Sequence, residues 1–465
     1  MAFHHTSYFQ FLVFLLLLSG TAFSTIVKNL PGFSGDLPFT LETGYTSVGD
    51  VEFFYYFVES ENNPAGDPLL LYLNGGPGCS ALNGFLFQVG PLKFDRSNYT
   101  SGLPTLLYES NSWAKHTNIL FLDAPVGAGF SYATTLEAWN TTDTQNAQQV
   151  TTFMRNWLSN HTSFLANPVY IGTDSYAGIN SPMIALDILN GNEAGDEPII
   201  NLKGLSLGCP HTDTDLETDA KIPFAHRMAL IPDELFEKAN KSCNGSYAVI
   251  ASNNTECIEA VDAIDECIEL INRQNILEPY CALLSPELAE DEKVRRYLRE
   301  HTANFIMQSP QPRDLYCHNL PYLLSVIWGN YESVQEALGV RQGTVEEFYR
   351  CNITLSYTVD VNSVIPQHKE LTKKGLQLLV FSGDHDMVMP HNGVEEWISF
   401  LDLTLDSDWR PWFVEGQVAG YTRTFDNEGY RLTYATIKGA GHSPPEDKRK
   451  ECYIMFHRWI NYYPL

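Results

Sequence analysis

At 465 residues the chain exceeds what a single hydrophobic core usually serves, so one large domain with a sizeable insertion, or two domains, is expected. Apolar residues make up 44% and charged residues 18%, with 8 Trp, 24 Tyr and 26 Phe, which can fill a large core and excludes a disordered chain. With 29 Lys+Arg against 56 Asp+Glu the formal net charge is −27, a field that repels phosphate backbones and argues against nucleic-acid binding.

The chain opens on an apolar run from Phe9 to Leu18, too short to span a bilayer, followed by the small residues Ser19, Gly20, Thr21, Ala22 and Ser24. Residues 1–24 read as a secretory signal peptide, although only His4 and His5, and no Lys or Arg, precede the run. No later segment is apolar enough to span, so no membrane contact is expected after the leader is removed. In residues 25–209 the run Leu-Leu-Leu-Tyr-Leu from Leu69 predicts a buried strand ending at Asn74-Gly75-Gly76-Pro77-Gly78. A second strand, Ile119–Leu122, stops at Asp123-Ala124-Pro125. A helix is predicted over Thr141–Leu158, with Val150, Phe153, Met154 and Trp157 on one face. Val169–Ile171 then leads through Gly172-Thr173-Asp174-Ser175-Tyr176-Ala177-Gly178 into a helix carrying Met183, Ile184 and Leu186, and Leu202–Leu207 forms another strand.

Over 210–330 the pattern changes to helical stretches such as Glu256–Asn272 with clustered cysteines, which we read as a disulfide-stapled cap over the site. Residues 331–465 resume the core. The strand Leu376–Phe381 ends at Gly383-Asp384-His385-Asp386, and Leu432–Ile437 leads to Gly439-Ala440-Gly441-His442. A closing helix carries Met455, Phe456 and Trp459. Short apolar strands alternating with helices predict an α/β fold with a mainly parallel sheet covered on both faces.

Seven Asn-x-Ser/Thr sequons, at Asn98, Asn140, Asn160, Asn240, Asn244, Asn253 and Asn352, point to a glycoprotein. The nine cysteines fit an oxidising compartment. With no CxxC pair or Cys/His quartet, zinc is not expected. Cys209 and Cys452 sit in apolar contexts and read as small core residues.

Ser175, Asp386 and His442 follow three predicted strands in the chain order Ser, Asp, His, the order of an α/β-hydrolase triad. Ser175 would attack an acyl carbonyl, His442 would carry its proton and Asp386 would hold the imidazole tautomer. Asp384 is the rival acid, but Gly383 and Asp386 match the Gly-x-x-Asp spacing of the acid turn. The backbone N–H groups of Gly76 and Tyr176 are the expected oxyanion donors.

The segments Asn74–Ser80, Asp123–Tyr132, Asp174–Gly178 and Gly439–His442 resemble the serine carboxypeptidase family, over nearly the whole chain from Val27. Ile222–His226, Ser382–Asp386, Trp409–Trp412 and Ala419–Thr424 look like the family's plant acyltransferases, which move an acyl group from a 1-O-β-glucose ester to an alcohol. The resemblance implies an α/β-hydrolase fold, an acyl-glucose donor with an alcohol acceptor, and no cofactor. It also implies disulfides Cys79–Cys351, Cys243–Cys257 and Cys281–Cys317, leaving Cys209, Cys267 and Cys452 unpaired. Family peptidases hold a free carboxylate with an Asn and two Glu residues. The matching positions here are Asn74, Asp174 and Gln88, beside Gly75, and they are the expected substrate-binding set. Gln88 cannot share a proton with Asp174 but has an amide hydrogen bond to donate.

The leading reading is therefore a glucose-ester acyltransferase of plant specialised metabolism, routed to the vacuole or, second, outside the cell. An acid serine carboxypeptidase is the alternative. A third reading, a non-catalytic companion of a paralogue or of a second copy, arises from Thr173. It stands two residues before the nucleophile, where an elbow usually has Gly.

Overall fold

A computed structural model of the chain describes residues 24–96, 99, 101–279, 319–427 and 429–465. Its strands, in chain order, are β1 (Ser24–Val27), β2 (Leu41–Val48), β3 (Val51–Val58), β4 (Leu69–Leu73), β5 (Asn118–Leu122), β6 (Val169–Asp174), β7 (Leu202–Gly208), β8 (Gln377–Gly383), β9 (Thr404–Val414), β10 (Gln417–Asn427) and β11 (Tyr430–Ile437). They lie in the order β1-β2-β3-β5-β4-β6-β7-β8-β11-β10-β9, with a two-residue strand, Tyr132–Ala133, against β3 as the twelfth. The centre, from β5 to β11, is parallel throughout. Antiparallel strands flank it on both sides, so the sheet is mixed, with the expected parallel part as its middle.

The central strands read as unbroken apolar runs because both of their faces are covered. Alternate residues feed opposite layers. Leu70, Tyr72, Tyr170, Leu379 and Phe381 pack with Met455, Phe456 and Trp459 of the C-terminal helix. Leu69, Leu71, Ile171, Leu378 and Val380 pack on the other side with α1 (Asp143–Asn160) and α2 (Ala177–Ala194). The first of these helices starts two residues later than its apolar face predicts. Thr141 and Thr142 form a short strand, and the Thr142 hydroxyl accepts the Gln145 N–H as an N-cap (3.2 Å). β6 runs three residues beyond the predicted Ile171, because Gly172, Thr173 and Asp174 pair with Ser206, Leu207 and Gly208.

In the cap, α3 (Thr214–Arg227), α4 (Asp233–Cys243) and α5 (Thr255–Ile268) share an apolar cluster of their own that includes Phe224, Ala239, Ile264 and Met387. The Cys243–Cys257 disulfide ties α4 to α5. α5 ends four residues short of the predicted Asn272. The next described helix, α6 (Asn319–Gly329), belongs elsewhere: Leu324 and Trp328 join the main core, and Trp328 Nε1 donates to the Pro31 carbonyl (2.7 Å). The stretch 210–330 thus contains a helical unit with its own cluster and, at its end, a helix of the core.

Ser24, assigned to the leader from sequence, opens β1 opposite Gly44; the rest of the leader, Asn98 and the pair Cys281 and Cys317 lie outside the described residues. Asn140, Asn160, Asn240, Asn244 and Asn253 are exposed. Asn352 is half-buried, and its Nδ2 donates to the Gly127 carbonyl (3.0 Å). No helix among the described residues is long and apolar enough to cross a membrane.

Candidate active site

The parallel strands end on one edge of the sheet, and the turns that follow them meet there. β6 delivers Ser175, whose φ of +58° makes the sharp bend between strand and α2. Its N–H donates to Gly208 (3.0 Å), and its carbonyl accepts from Gly178 (2.9 Å) and His211 (3.0 Å), so the strained residue is held from both sides. Thr173 does not prevent the bend. It stays within β6, buried between Leu73 and Leu207, and its hydroxyl has no hydrogen-bond partner among the described residues.

β8 delivers Asp386 and β11 delivers His442. His442 Nε2 lies 2.8 Å from Ser175 Oγ, and Nδ1 lies 2.9 Å from Asp386 Oδ2. A buried carboxylate at Nδ1 fixes the proton there, so in the neutral imidazole Nε2 accepts from the serine hydroxyl. The other Asp386 oxygen accepts from the N–H groups of Val388 (2.7 Å) and Met389 (3.2 Å). Asp384 is turned elsewhere: Oδ1 accepts from the Gly439 N–H (2.7 Å) and meets His385 Nδ1 (2.6 Å). Burial disfavours the His442 imidazolium, but the adjoining Asp386 carboxylate, helped by Asp174, outweighs it and lifts the group to about 9.

The loop after β4 lies against the elbow because Gly75 has no side chain. A Cβ there would sit 2.5 Å from the Tyr176 nitrogen and 2.9 Å from Ser175 Cβ. Gly76, at φ +123°, follows. Neither the Gly76 nor the Tyr176 N–H meets a protein acceptor among the described residues, so both are available to an oxyanion. The loop is fixed from behind by two features. Cys79 is bonded to Cys351. The fully buried Asp123 accepts from Ser80 Oγ (2.8 Å), Ala81 N (2.7 Å) and Phe130 N (2.9 Å).

Asn74, Gln88 and Asp174 come together beside the nucleophile, all three buried. Gln88 Oε1 accepts from Asn74 Nδ2 (2.9 Å) and Tyr72 Oη (3.0 Å); Nε2 donates to Asp174 Oδ2 (2.8 Å) and Ser443 Oγ (3.0 Å). The spare amide hydrogen bond expected of Gln88 is not there, because both of its N–H groups are engaged within the protein. Burial pushes the Asp174 carboxyl up to about 6, against the pull of His442 and Gln88. In front of these groups opens a cavity of about 270 Å³, with Tyr322, Arg350 and Ile353 on its far wall. The Arg350 guanidinium lies over the Tyr322 ring at 4.0 Å and donates to Asn83 Oδ1 (3.2 Å).

Among the described residues, one grouping of potential metal ligands is close-set, Cys209, Asp386 and His442, with ligand atoms within 4.8 Å. Two of the three are already bonded to each other, and the Cys209 sulfur takes the Gly383 N–H (3.5 Å), so the arrangement serves hydrogen bonding.

A family model described as serine carboxypeptidase matches residues 31–462. The chain belongs to the serine carboxypeptidase family. This family member is 43% identical to serine carboxypeptidase-like 19 of Arabidopsis thaliana over 452 residues, 95% of each chain. It is 41% identical to serine carboxypeptidase-like 7 of the same plant over 454 residues, 97% of this chain and 96% of that one. Its fold is shared with a crystal structure of a prohormone-processing carboxypeptidase from Saccharomyces cerevisiae, with a TM-score of 0.70, 18% identity and 91% of each chain covered. The α/β-hydrolase fold thus carries a serine carboxypeptidase-like hydrolase or transferase.

Sequence reasoning missed the groups that complete this family member's site: Ser443 and Tyr72 around Gln88, and Tyr322 and Arg350 across the cavity. Ser443 stands next to His442 and Arg350 next to Cys351, so adjacency to an assigned residue was the one signal that could have found them. Tyr322 offered none.

Proposed function

We propose that the protein transfers an acyl group from a 1-O-β-glucose ester to an alcohol. The observation that carries this reading is the neutral, fully engaged Gln88 beside Asp174. A pair of acids sharing a proton would suit a free carboxylate. The Asn74, Gln88 and Asp174 group has one carboxyl, ionised above about pH 6, and no spare donor on Gln88. A carboxylate substrate would meet like charge there, whereas the hydroxyls of a glucose ester or an alcohol can donate to Asp174.

In the proposed reaction Ser175 Oγ attacks the ester carbonyl while His442 Nε2 takes the hydroxyl proton, and the carbonyl oxygen becomes an oxyanion facing the Gly76 and Tyr176 N–H groups. Collapse breaks the bond to the anomeric oxygen, which leaves as glucose with the proton from His442. An acceptor alcohol then gives its proton to His442, attacks the acyl-enzyme and releases Ser175. The donor ester is activated, so no energy source is required. A positioned alcohol outcompetes water because oriented groups reach effective molarities of about 10⁵–10⁸ M. Routing through the secretory pathway to the vacuole, with glycans on the sequons, belongs to the same proposal, and the two disulfides support it.

The test is to incubate the purified protein with a panel of acyl-glucoses and alcohols and to detect products by mass, alongside blocked dipeptides. Transfer product is expected, with very weak release of C-terminal amino acids. Brisk peptide hydrolysis without transfer would overturn the reading in favour of an acid carboxypeptidase. The raised Asp174 favours that second reading, since a protonated carboxyl at low pH can donate to a peptide's terminus.

A further inference from the structure

Among the described residues of the cap, Gln274 is the one that lines the cavity. Immediately after α5 the chain runs back across the two turns that carry Asp386 and His442 and is hydrogen-bonded to both. The Arg273 carbonyl accepts the N–H of Met387 (2.9 Å), the Gln274 carbonyl accepts that of His442 (2.6 Å), and the Ile276 N–H donates to His385 (3.1 Å). The next anchor is a side chain. Asn275, 8% exposed, donates through Nδ2 to Asp447 Oδ2 (3.1 Å), the same oxygen that accepts the Gly441 N–H (2.7 Å). The contact is close-fitting: a Cβ on Gly441 would lie 2.2 Å from the Gln274 carbonyl oxygen and 2.5 Å from Asn275 Cβ.

We propose that residues 273–276 are a positioning strap that sets the distance between the Asp386 and His442 turns, with Asn275 as its anchoring side chain. The two turns meet directly, the His385 N–H donating to Ala440 (2.9 Å) and the Asp384 N–H to Ile437 (3.2 Å), but these bonds stop short of the two triad residues. His442 follows the end of β11 by five residues and Asp386 follows β8 by three, and the strap's bonds to Met387 and His442 lie beyond the direct ones. The strap joins one turn to the other through backbone groups that do not depend on either side chain. Gln274 also lines the cavity, so the brace of the triad is at the same time part of the substrate's surroundings. The inference rests on the reading of Ser175 as nucleophile.

The test compares wild type, Asn275→Ala and Gly441→Ala for labelling rate by a fluorophosphonate, for kcat and KM with the best donor from the panel, for the pH profile of labelling, and for the low-field proton signal of the His442–Asp386 hydrogen bond. Asn275→Ala is expected to lower kcat and labelling roughly tenfold with KM little changed, the size expected when one charge-assisted bond is lost. Gly441→Ala, which pushes the strap off its seat, should cost about 10²-fold, as small misplacements of reacting groups do. In both, the low-field proton should broaden, and the labelling profile should move to lower pH as the imidazole loosens from its carboxylate. Unchanged labelling, profile and proton signal in Asn275→Ala would overturn the strap, including where Gly441→Ala fails to fold. Wild-type protein that does not label at all would instead overturn the nucleophile.

Discussion

The centre of the sheet and the cap hold their residues in place by different means. In the centre, β4, β6, β7, β8 and β11 are locked in parallel register between two apolar layers, so each strand end presents its turn at a fixed height. The cap has a small cluster of its own, a disulfide across a short loop and a strap onto the core. Depth of burial sets where the reacting atoms are. The cap is held by its own cluster and by bonds at its edge, and it reaches the cavity through Gln274.

The largest effects should come from the centre. Ser175→Ala should lower turnover by about 10⁴–10⁶-fold with the fold intact, and His442→Ala should be comparable because the two act as a unit. Circular dichroism checks the fold and product mass the turnover; residual activity above a trace breaks the assignment. Asp386→Asn should cost about 10⁴-fold through loss of tautomer control, with Asp384→Asn far milder because its carboxylate faces His385 and Gly439. The reverse order would mean that the acid has been misassigned.

Next come the two disulfides among the described residues, one in each region. Cys79–Cys351 spans 272 residues and Cys243–Cys257 spans 14. Chain-entropy arguments give about 5–6 kcal/mol for the first and about 3 kcal/mol for the second. Replacing each pair with Ala and measuring denaturant midpoints should reproduce that order, with activity lost in the first case through the oxyanion loop. Equal midpoints would show that loop length does not set what each bridge contributes.

The smallest effect concerns Asp174. Its folded pKa of about 6 lies above the ordinary value near 3.9, so the protonated form is the one the fold favours. The stability it contributes is full below about pH 4 and is lost as the pH rises through 6, by no more than about 3 kcal/mol. Asp174→Asn should flatten the pH dependence of urea midpoints between 4 and 6, and an unchanged slope would place the titration elsewhere.

The central strands were legible because burial on both faces leaves continuous apolar runs, and the turns after them because Gly and Pro punctuate where those runs stop. The distribution of partners around Gln88 was not legible, since Ser443 is 355 residues away and nothing local marks the pairing. Nor was the strap, whose contacts are between backbone groups and carry no side-chain signature. The edge hairpin β9–β10 was missed for a different reason. Thr404–Val414 is mostly exposed, so its residues do not alternate between apolar and polar, and Pro411 argues against a strand.

That hairpin also settles how far the sheet can extend. β9 has one free side along which another chain could add itself. Pro411 offers no N–H there, the register slips at Leu405/Ser407, Ser407/Arg410 and Trp412/Phe413, and Asp406, Asp408 and Arg410 put charge along the strand. Among the described residues the sheet thus ends at β9 in a border that is a poor template for polymerisation.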